Sequence, residues 1–157
     1  MKTYSAANRW MPVIGWGLLI FVGSTDVLSA EQTSHLVVPF LLWLDPQMSV
    51  ATVTPIHFAL RKLGHLAEYA ILAAFLWWAL RGTLTSIRSV AIALLVFSAS
   101  VGFAASDEFH QSFFPTRTAS VRDAMIDTCG AAIALAFCVA LRRRSRRARI
   151  ADLNFDL

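Results

Sequence analysis

The stretch ASDEFHQSFFPTRTASVRDAMID, Ala105 to Asp127, decides how the chain is read. It separates two apolar runs, yet it carries Asp107, Glu108, His110, Gln111, Arg117, Arg122, Asp123 and Asp127. The chain is 57% hydrophobic and only 15% charged, whereas soluble domains carry charge on about a quarter of their residues. So many ionisable groups between two greasy runs mark the end of one membrane helix, a turn, and the start of the next. A second polar cluster, RKLGHLAEY, runs from Arg61 to Tyr69. The rest of the chain reads as a frame that holds the two clusters together.

Working outward, the mean hydropathy of +0.58 agrees with a membrane protein. The 157 residues leave room for one compact domain. Val121 to Leu141 is an apolar span after the opening stretch, and Ile87 to Ala105 is the span before it. Another span runs from Ile56 to Leu80, with Thr54 as its N-cap and Pro55 in its first turn. Met11 to Val27 is the first, with Gly15, Gly17 and Gly23 as small packing positions. Read as a secretory signal it fits poorly, because Leu28 stands where cleavage after Ala30 needs a small residue. Leu36 to Leu44 is apolar but too short to span, since a helix needs about 20 residues, and Pro39 interrupts it. It reads as a re-entrant or interfacial segment, with Trp43 at headgroup level.

The expected fold is therefore all-α: an integral membrane four-helix bundle with a re-entrant or interfacial segment between helices one and two. Four spans put both termini on one side. Lys2, Arg9, Arg81, Arg88 and the tail Arg142 to Arg149 all fall there. By the positive-inside rule that side is expected to be the cytoplasm, with the protein crossing the membrane several times. Both polar clusters then face outside. The arginine tail follows an apolar helix and reads as lipid-facing rather than as a nucleic-acid patch. Cys129 and Cys138 lie nine residues apart in one helix, on opposite faces, so they cannot pair.

Arg61, His65 and Glu68 share a helical face, with Tyr69 beside them. Charged groups within a span normally face a partner or a wet cavity. Asp107, His110, Gln111 and Phe114 share a face if the third helix continues to Phe114, where Pro115 ends it. Ser120 and Asp123 have the S-x-x-D form of a capping box. Asp127 lies one turn deeper, above Gly130 and Ala134, and needs a proton or a cationic partner. No zinc, calcium, phosphate-loop or serine-hydrolase motif is present. No cofactor is expected. A divalent metal on His65, Glu68, Asp107, Glu108 and His110 is the minor alternative.

The residues supply anion chemistry at a membrane face. Arg61, Lys62 and Arg117 suit a phosphate or pyrophosphate. Glu68, Asp107 and Glu108, with His65 and His110, suit proton exchange in a low-dielectric site. Lys62-Leu-Gly-His65-Leu-Ala-Glu68-Tyr69, then Asp107-Glu108-Phe-His110-Gln111-Ser-Phe-Phe-Pro115-Thr-Arg117, then Ser120-Val-Arg-Asp123 and Gly130, resembles the VanZ-like family of small bacterial membrane proteins. Ser24, after the first span, also fits. The resemblance implies a cell-envelope membrane protein, in a family named for an association with resistance to the glycopeptide teicoplanin. It points to cell-wall or surface-glycan precursors. Relatives usually carry Asn at the position of Asp127, and often Gly at that of Thr116.

The expectation is an enzyme acting on a lipid-linked, phosphorylated or glycosylated envelope intermediate. Its catalytic candidates are Glu68, Asp107, Glu108, His65 and His110. Its substrate-binding candidates are Arg61, Lys62, Tyr69, Gln111, Arg117, Asp123, Asp127 and Ser24. The partners are that lipid and the surrounding membrane, not nucleic acid. The alternative is a non-catalytic binder or transporter of such a lipid, or a factor that alters glycopeptide susceptibility.

Overall fold

The computed structural model describes residues 5–155, with side chains as far as Ala148. Lys2 and the side chain of Arg149 lie outside the described residues. Those residues form helices and no strand. They are α1 (Ala6–Gly23), a 3-10 turn (Asp26–Leu28), α2 (Ala30–Leu44), α3 (Val50–Thr83), α4 (Ser89–Gln111) and α5 (Val121–Phe155).

Three helices are long and apolar enough to cross a membrane: Val50–Thr83, Ser89–Gln111 and Val121–Ala148. α1 reaches that standard only with the segment Asp26–Leu44, from which it is bent by 74°. The expected four spans are thus three, or four when the bent pair counts as one. α1 nevertheless runs along α3 in the opposite direction. Arg9 lies 5.1 Å from the Trp78 ring, and the Trp16 indole N–H donates to the Glu68 carbonyl at 2.9 Å. Ser24 then hydrogen-bonds to Asp107 near the end of α4.

Two prolines sit deeper in helices than expected, since Pro39 reads in sequence as an interruption and Pro55 as part of a first turn. Pro39 lies inside α2 and Pro55 inside α3, which starts at Val50 with Ser49 before it. An interior proline removes one main-chain bond, and side chains or packing absorb the loss. Thr54, expected as an N-cap, turns its hydroxyl back to the Val50 carbonyl at 2.9 Å. Ser29 caps α2 by accepting from the Gln32 N–H at 3.2 Å.

Two apolar clusters hold the frame. Ala73, Trp77, Ile92, Val96, Ala131 and Leu135 join α3, α4 and α5. Ile20, Tyr69, Leu72 and Ala104 join α1, α3 and α4. Gly130 lets α5 approach α3 closely, because a Cβ there would overlap the Leu66 carbonyl oxygen. Charge separates to the two ends. Arg9, Arg81, Arg88 and the arginines from Arg142 to Arg147 gather at one end, and both polar clusters lie at the other.

Candidate functional site

α3 builds the floor of a chamber. His57, Arg61, Gly64, His65 and Glu68 recur at i, i+4, i+7, i+8 and i+11 and so share a face. The end of α4 adds Asp107 and Gln111, one turn apart, and the following loop adds Arg117. The α1–α2 bend closes the top with Ser24, Leu28 and Thr33. The space is about 220 Å³ and is open on one side. Leu28, Val37 and Leu60 give it an apolar side.

The two guanidiniums hold the bend. Arg61 Nη1 donates to the Leu28 carbonyl at 3.0 Å and to the Thr33 hydroxyl at 3.1 Å. Arg117 Nε donates to the Thr25 carbonyl at 2.9 Å, and Nη2 donates to the Gly23 carbonyl. Thr116 adds a hydroxyl donated to Asp26. Burial pulls the Arg117 guanidinium below its ordinary value; the positive charge of Arg61 adds to this, and Asp107, Glu68 and Asp26 oppose it. Arginine still keeps its charge in such a setting. Neither guanidinium has an ion-pair partner among the described residues.

The carboxylates differ in their commitments. Asp107 accepts from Ser24 and, at 3.1 Å, from the Gln111 amide. Glu68 makes no side-chain hydrogen bond or ion pair among the described residues, and it lines the chamber together with His65. His65 Nδ1 lies 3.2 Å from Asp127 Oδ1, close in distance but off the line of a hydrogen bond. Asp127 is fully buried and neither of its oxygens has another partner. It sits behind His65 rather than in the chamber.

Other candidates are placed elsewhere. Lys62 pairs with Asp123 on the outer side of α3, with its Nζ 4.9 Å from the Phe58 ring centroid. Arg122 lines the same outer groove. Glu108 turns away from the chamber and accepts the Ser120 N–H at 2.6 Å. In a capping box that N–H goes to the residue three positions into the helix; here a carboxylate from α4 takes it, and Asp123 is left for Lys62. The expected face of Asp107, His110 and Gln111 also splits. Asp107 and Gln111 enter the chamber, whereas His110 stacks on Phe21 at 4.0 Å and meets Phe114 edge-on at 5.1 Å. Tyr69 is fully buried in the apolar cluster and does not line the chamber. No three His, Cys, Asp or Glu side chains converge as metal ligands among the described residues.

Sequence reasoning missed His57 and Thr33, whose side chains meet at 3.1 Å at the chamber edge. His57 lies one turn before Arg61, so the periodicity that selected Arg61 and His65 also reaches it. Thr33 had no such signal, because only the bend brings it to α3.

Residues 10–142 match the family model VanZ/LLP1. No curated protein and no solved structure matches the chain. The match covers most of the sequence, so the protein belongs to the VanZ/LLP1 family. It includes every chamber residue and ends at the start of the arginine tail.

Proposed function

We propose that the chamber receives the anionic head of a lipid-linked phosphate or glycan precursor, and that Glu68 carries out proton transfer on it. The observation that carries this reading is the pairing of Arg61 and Arg117. Both are charged, both line one small chamber, and both are bonded only to neutral oxygens. A phosphate between them supplies the missing counter-charge and fits planar guanidinium donors. The apolar side at Leu28, Val37 and Leu60 suits the start of a hydrocarbon chain.

Glu68 is the free carboxyl group beside this position, and His65, backed by Asp127, is the neighbouring proton carrier. Asp107 has a positioning role, since Ser24 and Gln111 hold it. The chamber end opposite the arginine-rich end faces outside under the positive-inside rule. VanZ itself is associated with glycopeptide (teicoplanin) resistance, which is consistent with a role among envelope precursors.

The second reading is a non-catalytic binder or carrier of such a lipid. It is favoured by the structural bonds that Arg61 and Arg117 already make to the bend. One experiment separates the two. Purified protein in detergent is incubated with polyprenyl phosphates and polyprenyl-linked sugars, and products are followed by mass spectrometry. The enzyme reading expects a product with wild type that is lost in Glu68→Gln, with binding retained. Saturable binding without product from any member of the panel overturns it and leaves the binder. Elemental analysis of the same sample reads out a bound metal.

A further inference from the structure

A second groove lies at the other end of the molecule, between α4 and α5. Ala93, Leu135, Ala136, Val139 and Ala140 form its walls, and Arg143, Arg144 and Arg147 form its mouth. Its volume is about 620 Å³. The α5 residues fall at i, i+1, i+4, i+5, i+8, i+9 and i+12, a continuous face of one helix. Small side chains give the groove its depth.

The position along α5 fixes the setting. Val121 to Leu141 rises about 31 Å at 1.5 Å per residue, which equals the hydrocarbon thickness of about 30 Å. The walls thus lie within the hydrocarbon and the arginines at headgroup level. Among the described side chains no carboxylate answers them. α3 carries none after Glu68, α4 none before Asp107, and α5 none between Asp127 and Ala148. Arg143, Arg144 and Arg147 make no hydrogen bond or ion pair among the described residues. Two of the other tail arginines, Arg142 and Arg146, act on Arg81 and raise the positive charge further.

We infer that this groove is a binding site for an anionic phospholipid. Its phosphate bonds to Arg143, Arg144 and Arg147, and one acyl chain lies along the alanine-lined wall. Charge complementarity selects the head, since basic pockets between helices at a membrane surface attract anionic lipid. The apolar wall selects a lipid over a free anion. The three arginines lie beyond the family match and the walls within it, and the groove shares no residue with the chamber.

Native mass spectrometry of the full-length protein in neutral detergent tests this with phosphatidylglycerol, phosphatidylcholine and inorganic phosphate as probes. The site predicts retention of phosphatidylglycerol only. Replacing Arg143, Arg144 and Arg147 together by Ala removes roughly three lipid-facing charges and lowers its affinity on the order of 100-fold. Arg142→Ala with Arg146→Ala removes charge of the same kind off the groove and has a much smaller effect. Ala136→Leu with Ala140→Phe fills the groove without changing charge; both alanines are exposed, so the core is not disturbed. That variant also loses the lipid, while its melting temperature stays at the wild-type value. Equal losses in the two arginine variants, binding that survives groove filling, or equal retention of inorganic phosphate or phosphatidylcholine would each overturn the site.

Discussion

Gly130→Ala tests the close approach of α3 and α5 on which the chamber floor depends. In an open helix this change stabilises by about 1 kcal/mol, because glycine loses more backbone freedom on folding. At Gly130 the added Cβ overlaps the Leu66 carbonyl oxygen and lies 3.0 Å and 3.1 Å from the Leu66 carbonyl carbon and Cα. These are main-chain atoms of a helix, so no rotamer change relieves the clash. Overpacking of this kind costs about 1–3 kcal/mol, and more where backbone must move. Backbone must move here, so the cost sits at the upper end, about 2–3 kcal/mol, and a net loss of about 1–2 kcal/mol follows. Gly102 is the control, since a Cβ there meets nothing within 4 Å. Gly102→Ala is expected to gain up to about 1 kcal/mol. Thermal unfolding followed by tryptophan fluorescence in one detergent reads both, at roughly 2–4 °C per kcal/mol for a chain of this size. A Gly130→Ala protein that melts at or above wild type would refute the account of this helix contact.

Four further outcomes follow from named contacts. Glu108→Ala leaves the Ser120 N–H without its carboxylate and is expected to cost about 1.5–3 kcal/mol, with faster amide exchange at Ser120; unchanged exchange there rules out the cross-helix cap. Arg117→Ala releases the Gly23 and Thr25 carbonyls, so a cysteine placed in the 24–29 bend is expected to label faster. Arg117→Lys restores little of that protection, because an ammonium lacks the planar fork. Lys62 and Asp123 form a partly exposed pair, with side chains 26% and 12% accessible; a double-mutant cycle is expected to give about 1 kcal/mol of coupling that shrinks with salt, and zero coupling removes the pair from the account. A cysteine at Thr118 is expected to react with an impermeant reagent from outside the cell and one at Ser145 is not; the reverse places the chamber in the cytoplasm and changes its substrate class.

The sequence showed helix faces well and neighbours poorly. Arg61, His65 and Glu68 were found by their spacing, as were Asp107 and Gln111, because helical period is a local property. The partners of those faces are not local. Glu108 reaches Ser120 and Lys62 reaches Asp123 only after α3, α4 and α5 have packed. His110 was assigned to the site by its spacing from Asp107, but the ring turned instead to Phe21 of α1. Pro39 and Pro55 looked like boundaries because an isolated helix avoids an interior proline, whereas a packed one tolerates it. The bend at Ser24 to Ser29 was the least legible part. Its residues, Ser-Thr-Asp-Val-Leu-Ser, carry no proline or glycine to mark a bend, and arginines distant in sequence hold its shape.

That dependence gives the two chamber arginines a double role. Gly23 closes α1, so its carbonyl belongs to the negative end of a helix dipole, where a cation is favoured. A guanidinium has five N–H donors. Arg117 uses Nε and one proton of Nη2 on the bend, and Arg61 uses only Nη1. Nη1 of Arg117, with Nε and Nη2 of Arg61, has no hydrogen-bond partner among the described residues, and the proposed anion would meet these donors. The bend therefore locks both side chains before any anion arrives, and the entropic cost of ordering them falls on folding rather than on binding. Lysine cannot divide its donors this way from a single nitrogen. Under the proposed function, arginine at Arg61 and Arg117 is therefore favoured by geometry: one part of each fork holds the α1–α2 bend in place, and the rest has no hydrogen-bond partner among the described residues.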